Sequence, residues 1–208
     1  DVGLNHLAWE LENEADLVAA YKLLRADDID TDITVDHQVA HSVYMFDPDG
    51  NYNEFYCDTV QNWRDVLHGE MDLITSMWDP LAAEPFTEGR YEQDPELRIV
   101  ESAPLHPKRI THAVIQSLDA PRLIEFYTRI AGLNVVTEDS GVTYLTGSHD
   151  KYAHNLVIVP AQVAGYGHAA FEIASESALD DARKTLIGSR IAIEEEVDLP
   201  WKRSLFLR

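Results

Sequence analysis

The sequence has few cysteines and few basic residues, and each shortage excludes a class of protein. Cys57 is the only cysteine among 208 residues, so the chain cannot form an internal disulfide and fits a reducing compartment such as the cytoplasm. The 16 lysine and arginine residues are outnumbered by 37 aspartate and glutamate residues, which gives a net charge of −21. A surface of that charge repels phosphate backbones, so we expect no nucleic-acid partner.

Long apolar stretches are also absent. No apolar run approaches the ~20 residues that a membrane-spanning helix needs, and no signal-like segment appears at the start, so we expect no membrane partner. The chain begins without methionine immediately before a strand-like run, and it ends in another such run, KRSLFLR. Because a domain seldom stops in the middle of a strand, we expect the chain to be a fragment.

A short pattern occurs three times along the chain. It is found in LNHLAWEL (4–11), ITHAVIQS (110–117) and YGHAAFEI (166–173), and each copy predicts a strand with a histidine near its start. Each copy leads into a segment with helical periodicity, and the first two then continue into three strand-like runs. The pattern therefore predicts a repeated β-α-β-β-β unit.

The repeat sets the domain organisation. The unit is complete in residues 3–58 and 109–161, and it is truncated from residue 166 onward. The segment between the complete units is rich in Trp, Pro, Asp and Glu, which is typical of a linker. We therefore divide the chain into a first module (1–58), a linker or tail with some helix near 61–68 (59–108), and a second module followed by a truncated third (109–208).

The alternation of side chains along a strand gives the histidines an orientation. In the first strand His6 shares one face with Ala8 and Glu10, while the intervening residues are strongly apolar and can pack on the helix. This leaves His6 on the opposite, concave face of a curled sheet. His112 and His168 occupy the equivalent positions in the other two units. A single strand histidine is more often a structural hydrogen-bonding residue than a metal ligand, and the repeat weakens that explanation without removing it.

Glu54 is the unusual residue in the stretch HSVYMFDPDGNYNEFYCD (41–58), where two β-prone runs meet at an Asp-Pro-Asp-Gly turn. By alternation it shares a face with Tyr52 and Tyr56. A buried carboxylate is costly unless it is paired or coordinates a metal. Two imidazoles and one carboxylate on one face of a metal are the ligand set of non-haem Fe(II) oxygenases. The same donors also suit Mn, Ni and Zn, so the residue types leave the metal open.

These motifs resemble the vicinal oxygen chelate superfamily, the group of glyoxalases, bleomycin resistance proteins and dioxygenases. Within it they look most like type I extradiol catechol dioxygenases. HSVYMFDPDGNYNEFY is similar to the end of their catalytic domain, and NHLAWEL and ITHAVIQS are similar to strands that supply histidine ligands. The resemblance implies an α+β fold, in which paired βαβββ modules form open, cup-shaped mixed β-sheets with helices on the outer face.

The resemblance also implies a set of metal ligands. Glu54 matches the carboxylate ligand, and His6 matches a histidine ligand from the same module. In the commonest two-domain relatives the catalytic module directly follows another module, whereas here it comes first. Either an upstream module holds the remaining histidine, or the first two modules combine within or between chains. The second arrangement completes the set with His112, so His112 is predicted as a ligand and His168 as a structural histidine.

Three further residues match catalytic positions of the family. Tyr44 lies ten residues before Glu54, as the active-site tyrosine does, and is expected to hydrogen-bond the deprotonated catechol. His37 resembles a histidine that contacts dioxygen or substrate, and His41 is a rival for that role. His154 matches a histidine at the end of a module that often helps to deprotonate the catechol.

The function that follows from the resemblance is extradiol ring cleavage. The substrates would be a catechol-type aromatic diol and O2, and the metal would be Fe(II), with Mn(II) as the alternative. Because paired modules of this family often assemble further, we expect a homo-oligomer. Three other functions stay open: a metal-dependent glyoxalase-type isomerase or lyase, a metal-free small-molecule-binding protein, and an incomplete dioxygenase that folds without turnover.

Overall fold

The first module folds as a strand, a helix and three strands. A computed structural model of the chain describes residues 4–66, 76–90, 100–103, 105–148, 150, 152–200 and 202–207. The elements of the first module are β1 (Leu7–Glu10), α1 (Glu14–Ala26), β2 (Ile33–Asp36), β3 (Ala40–Phe46) and β4 (Tyr52–Asp58). A short helix, α2 (Trp63–Val66), and a short strand, β5 (Ser76–Met77), follow. The helix expected near 61–68 is thus present at Trp63–Val66, and residues 67 and 68 lie outside the described residues.

The second module repeats the same order, and the third lacks a fourth strand within the described residues. The second consists of β6 (Pro107–Ser117), α3 (Ala120–Glu125) with a π-helical turn (Phe126–Ile130), β7 (Asn134–Asp139), β8 (Val142–Thr146) and β9 (Leu156–Pro160). The third consists of β10 (Gly165–Ile173), α4 (Glu176–Gly188), β11 (Ile193–Leu199) and β12 (Lys202–Leu207). None of the helices in the described part of the chain is long and apolar enough to cross a membrane.

Both complete modules have the same strand order. The first sheet runs β1-β4-β3-β2-β5, the second runs β10-β6-β9-β8-β7, and β11 and β12 form a separate hairpin. In each complete module the first strand pairs parallel with the fourth, and the remaining pairs are antiparallel. The third unit joins the second through the antiparallel pair of β6 and β10. The predicted α+β fold built from βαβββ modules is confirmed.

The helix of the first module covers one face of its sheet. Asn13 begins α1, because its side chain accepts a hydrogen bond from the backbone N–H of Asp16 at 2.9 Å. The helix buries Leu17 against Val43 and Cys57 of the sheet. Complete burial of one such side chain stabilises the fold by about 1.5–3 kcal/mol. The histidine-bearing face of the sheet is therefore the face opposite α1.

A larger core joins the two sheets. Leu123 and Tyr127, from α3 and its π-helical turn, are fully buried together with Ile115 of β6. Met45 of β3 belongs to the same buried cluster, and Trp9 of β1 packs against it. The first sheet thus contributes to this core the face opposite His6, and the second sheet contributes the face opposite His112.

Candidate metal centre

The structure places four of the predicted site residues on one side of the first sheet. Glu54 on β4 lies directly opposite Ala8 on β1 and Tyr44 on β3. His6 precedes Ala8 by two residues and therefore points to the same side. His37 follows the end of β2, the strand that pairs with β3 on its other side. Four residues that are scattered along the sequence are in this way brought to one place.

The two oxygens of Glu54 have different partners. Oε2 lies 3.0 Å from Nε2 of His6. Oε1 accepts hydrogen bonds from the hydroxyl of Ser42 at 2.7 Å and from the hydroxyl of Tyr44 at 2.6 Å. The Glu54 side chain is only 12% exposed. The two hydroxyls therefore hold one oxygen of a nearly buried carboxylate, and the other oxygen faces the imidazole.

Tyr44 connects His37 to this carboxylate. Nε2 of His37 lies 3.1 Å from the Tyr44 hydroxyl and 3.6 Å from Oε1 of Glu54. Burial, together with the hydrogen bond to Glu54 and its charge, raises the pKa of Tyr44 well above its usual range. Tyr44 therefore stays protonated at physiological pH. It donates to Glu54, and its oxygen can accept from His37.

The donor set of His6 and Glu54 fits a divalent metal in part. Metal–nitrogen and metal–oxygen bonds of about 2.0–2.2 Å put two adjacent ligand atoms about 3 Å apart, which matches the 3.0 Å between Nε2 and Oε2. Imidazole and carboxylate are also the donors that Fe, Mn and Zn take. Within the described residues, no group of three His, Cys, Asp or Glu side chains is arranged to hold a metal. The described residues thus place two candidate ligands, His6 and Glu54, side by side, without a third beside them.

A pair of carboxyl groups lies further along the same face. Burial, followed by the charge of Asp58, raises the pKa of Glu10 to about 7. Burial also raises the pKa of Asp58, whose Oδ1 accepts a hydrogen bond from Nε1 of Trp63 at 2.9 Å. The hydroxyl of Tyr56 points to Glu10 at 3.4 Å. Glu10 was placed on this face by the sequence, but its pairing with Asp58 was not predicted.

The structure does not bring His112 and His154 to Glu54. The ring of His112 lies 4.7 Å from the ring of His154 and 6.1 Å from that of His168, on the second sheet. Burial, followed by the nearby charge of His154, lowers the pKa of His112 to about 4. Burial also lowers the pKa of His154. Three imidazoles therefore cluster on a sheet separate from the one that carries His6.

His41, the rival of His37, lies on the other face of the first sheet. Its Nδ1 is 2.6 Å from Oε1 of Glu14 on α1, and its ring stacks on Trp78 at 4.6 Å. The other oxygen of Glu14 accepts a hydrogen bond from the backbone N–H of Phe86 at 3.1 Å. His41 thus helps to attach residues 76–90 to the helical side of the sheet, away from Glu54.

Ser42 is a site residue that sequence reasoning missed. It is completely buried and donates to Oε1 of Glu54. The signal was available, because Ser42 precedes Tyr44 by two residues and must share its face in a strand. The residue type alone does not indicate a site, because a serine hydroxyl has no characteristic spacing to a carboxylate.

A cavity of about 860 Å³ runs beside β1, between the two modules. Its walls include His6, Trp9 and Tyr56 from the first module and His112 and Tyr166 from the second and third. Its volume lies in the range of pockets that enclose small organic molecules. His6 therefore borders a space large enough for an aromatic ring.

Comparison with known proteins finds a family model that is similar to the first module. Residues 1–55 match the family model described as Glyoxalase/Bleomycin resistance protein/Dioxygenase superfamily. Biphenyl-2,3-diol 1,2-dioxygenase 3 of Rhodococcus globerulus is 37% identical over 100 residues, which are 45% of this chain and 53% of the relative. Catechol-2,3-dioxygenase of Bacillus subtilis (strain 168) is 27% identical over 158 residues, 74% of this chain and 51% of the relative. The chain spans about half the length of these curated relatives.

Solved structures share the fold. The Mn(II)-bound glyoxalase from Novosphingobium aromaticivorans has a TM-score of 0.63 at 15% identity, over 92% of this chain and 54% of that one. The 2,3-dioxygenase LapB from Pseudomonas sp. KL28 has a TM-score of 0.64 at 15% identity, over 97% and 65%. At this identity the likeness concerns the fold alone. Residues 1–55 thus resemble the glyoxalase/bleomycin resistance/dioxygenase superfamily, and the two curated relatives are named as dioxygenases.

Proposed function

We propose that the chain is part of a metal-dependent extradiol dioxygenase that cleaves a catechol-type aromatic diol with O2. The observation that carries the proposal is the arrangement of Glu54, which offers one oxygen beside His6 while Ser42 and Tyr44 hold the other. The names of the curated relatives support the reaction class, since they are dioxygenases of biphenyl-2,3-diol and catechol.

His6 and Glu54 would hold the metal, with Fe(II) favoured and Mn(II) as the alternative. When bound, such an ion lowers the pKa of a diol hydroxyl and keeps the diol and O2 in contact. A further histidine ligand must come from outside this pair. Since His112 lies on the other sheet within one chain, it remains a prediction for an arrangement between two chains. A homo-oligomer is part of the proposal for the same reason.

The residues around Glu54 then have distinct tasks. Ser42 and Tyr44 keep the carboxylate oriented, because each donates a hydrogen bond to Oε1. Tyr44 remains a proton donor, since its pKa is raised. His37 is the proposed base for a proton of the diol, since imidazole commonly serves in general base catalysis. His154, the other predicted base, lies beside His112 and is subject to the same condition of a second chain.

The proposed reaction needs no other redox partner. The bond between one hydroxyl-bearing carbon and its ring neighbour that carries no hydroxyl breaks, and both atoms of O2 enter the product. The diol supplies the electrons, and the product is a muconic semialdehyde. The two hydroxyl protons of the diol are available to bases such as His37 during ring opening.

Oxygen uptake by protein reconstituted anaerobically with Fe(II) tests the proposal. We expect uptake with a panel of catechols and formation of a yellow ring-opened product. Glu54→Gln should abolish both, because it removes the charged ligand. Glu10→Gln is the matched control, since it changes a carboxyl group on the same face that does not touch His6, and it should retain activity.

Binding of the metal alone separates the alternatives. Titration with Mn²⁺ should show one site that is lost in Glu54→Gln. Absence of any site in the unaltered chain would overturn the proposal and favour a metal-free binding protein. A site without oxygen uptake would overturn the dioxygenase reaction and favour a glyoxalase-type isomerase.

A further inference from the structure

A hydroxyl from the second module reaches the strand that carries Glu54. Tyr127, in the π-helical turn after α3, points its hydroxyl to Oδ2 of Asp47 at 2.9 Å and to Oδ1 of Asn53 at 3.2 Å. Tyr127 and Asn53 are completely buried, and Asp47 is 5% exposed. Asn53 directly precedes Glu54 on β4. The contact therefore links the second module to the backbone position next to the candidate ligand.

Asn53 is fixed on several sides. Its Oδ1 also accepts a hydrogen bond from Nε1 of Trp9 at 3.0 Å, and its amide nitrogen donates to the backbone oxygen of Asn51 at 3.1 Å. Because neighbouring side chains on a strand point to opposite faces, anchoring Asn53 on the core side fixes the direction of Glu54 on the other side. A buried polar group held in this way keeps its position, since a buried donor or acceptor left without a partner is unfavourable.

Asp47 holds the turn between the strands that carry Tyr44 and Glu54. Its carboxylate accepts hydrogen bonds from the backbone N–H of Asp49 at 3.0 Å and of Asn51 at 2.9 Å, and from the Asn51 side chain at 2.8 Å. The Tyr127 hydroxyl is the partner that comes from outside the turn. One hydroxyl thus supports both the β3–β4 turn and the start of β4.

Tyr127 lies in a π-helical turn, Phe126–Ile130. The backbone N–H of Ala131 bonds to the carbonyl of Phe126, five residues earlier. Single π-helical turns of this kind are rare and frequently occur at functional sites. The extra residue in the turn accompanies a side chain that is buried in the core between the two sheets.

We propose that Tyr127 is a positioning residue for the metal site, acting through Asn53 and Asp47 on Glu54 and Tyr44. The inference rests on the proposed function for its metal, but the positioning itself is independent of metal. Removal of the hydroxyl loosens the direction of Glu54, while the ring still fills the core. The Tyr127 hydroxyl in this way couples the second module to the metal site of the first.

Tyr127→Phe tests the inference, with Tyr21→Phe as the matched control. Tyr21 lies on α1, and its hydroxyl makes no hydrogen bond within the described part of the chain. In Tyr127→Phe the affinity for Mn²⁺ should fall about 10–100-fold, as for other outer partners of metal ligands. In metal-free protein the NMR signals of the His6 and Tyr44 rings should also shift. Neither change is expected in Tyr21→Phe.

The outcomes are separable. If the ring signals and the Mn²⁺ affinity of Tyr127→Phe match those of the unaltered chain, the positioning role is wrong, even if the melting temperature falls. If the unaltered chain binds no Mn²⁺ but the His6 and Tyr44 signals still move, the proposed function fails and the positioning stands. Should Tyr127→Phe not fold, Trp9→Phe removes the other donor to Asn53 and leaves Asp47 intact. It should shift the same ring signals, and unchanged signals would overturn the inference.

Discussion

The hydroxyl of Tyr44 donates a hydrogen bond to Oε1 of Glu54 across the β3–β4 pair, at 2.6 Å. This bond assigns different tasks to the two oxygens of the carboxylate, because Oε2 is left beside His6 at 3.0 Å. It also restricts Tyr44, whose raised pKa keeps it protonated. Glu54 is therefore an oriented candidate ligand, and Tyr44 is its hydrogen-bond donor.

Removal of that donor should weaken metal binding. In Tyr44→Phe, Oε1 of Glu54 loses one of its two hydroxyl donors and keeps the Ser42 hydroxyl, so the carboxylate is held less firmly. We expect the affinity for Mn²⁺ to fall about 10–100-fold, measured by titration of metal-free protein. Tyr52→Phe is the control, since Tyr52 stacks on Tyr44 at 5.2 Å but donates its hydroxyl to Asp32. Equal affinities in both variants would show that the bond does not orient Glu54.

His37 and His41 lie on opposite sides of the first sheet, so we expect their loss to affect different properties: catalysis for His37 and stability for His41. His37→Phe should lower kcat for diol cleavage about 100-fold or more, because it removes the proposed base, and it should leave stability nearly unchanged. His41→Phe keeps the stack on Trp78 but removes the partner of Glu14, so the free energy of unfolding should fall by about 1–3 kcal/mol. Steady-state kinetics and urea denaturation of both variants provide the comparison. A large loss of kcat in His41→Phe alone would reverse the assignment.

Local pattern was enough to predict much of the fold and to place two of the three proposed ligands on one face. Period-two alternation placed His6 and Glu54 on one face, because strand geometry alone decides it. The choice between His37 and His41 needed the strand ends, since His41 lies within β3 and His37 precedes it. The separation of His112 from Glu54 depends on how the two sheets share one core, and no local pattern contains that information.

For the same reason, the sequence does not predict hydrogen-bond partners that come from distant segments. Tyr127 is 74 residues from Asn53, and it lies in a π-helical turn that residue periodicity does not indicate. The pairing of Glu10 with Asp58 likewise arises from the parallel register of β1 and β4. In each case the sequence contains the residues but does not predict the packing that brings them together.

Glu10 should make stability depend on pH in an identifiable window. In the unfolded chain it ionises near 4.5, whereas in the folded protein it keeps its proton up to about pH 7. The folded state then binds more protons between these values, so stability falls as the pH rises through them. Glu10→Gln should therefore be more stable than the unaltered chain by about 1–2 kcal/mol at pH 8, after allowance for partial solvent exposure, and nearly equal at pH 4.

Urea denaturation at both pH values measures this difference, and Glu138→Gln on the exposed strand β7 is the control. The control should follow the unaltered chain at each pH. If Glu10→Gln also follows it, the burial and the neighbouring Asp58 do not hold the proton on Glu10.

His112 should produce the opposite slope. Its pKa is about 4 in the folded protein and 6.5 ordinarily, so the unfolded chain binds more protons between these values. Stability is therefore lost as the pH falls from 6.5 to 4. His112→Gln should reduce this loss by about 1–2 kcal/mol, allowing for partial solvent exposure, measured by urea denaturation from pH 7 to 4.5.

His106→Gln is the control for His112, because the His106 ring contacts the backbone oxygen of Val100, outside the imidazole cluster. If the stability of His112→Gln falls between pH 7 and 4.5 as steeply as that of the unaltered chain, the imidazole cluster takes up protons as easily as the unfolded chain does. A smaller fall in His112→Gln would show that His112 is held neutral near pH 6. Neutral imidazole is the form that binds a metal, so the same measurement bears on whether His112 is ready to serve as the ligand predicted between two chains.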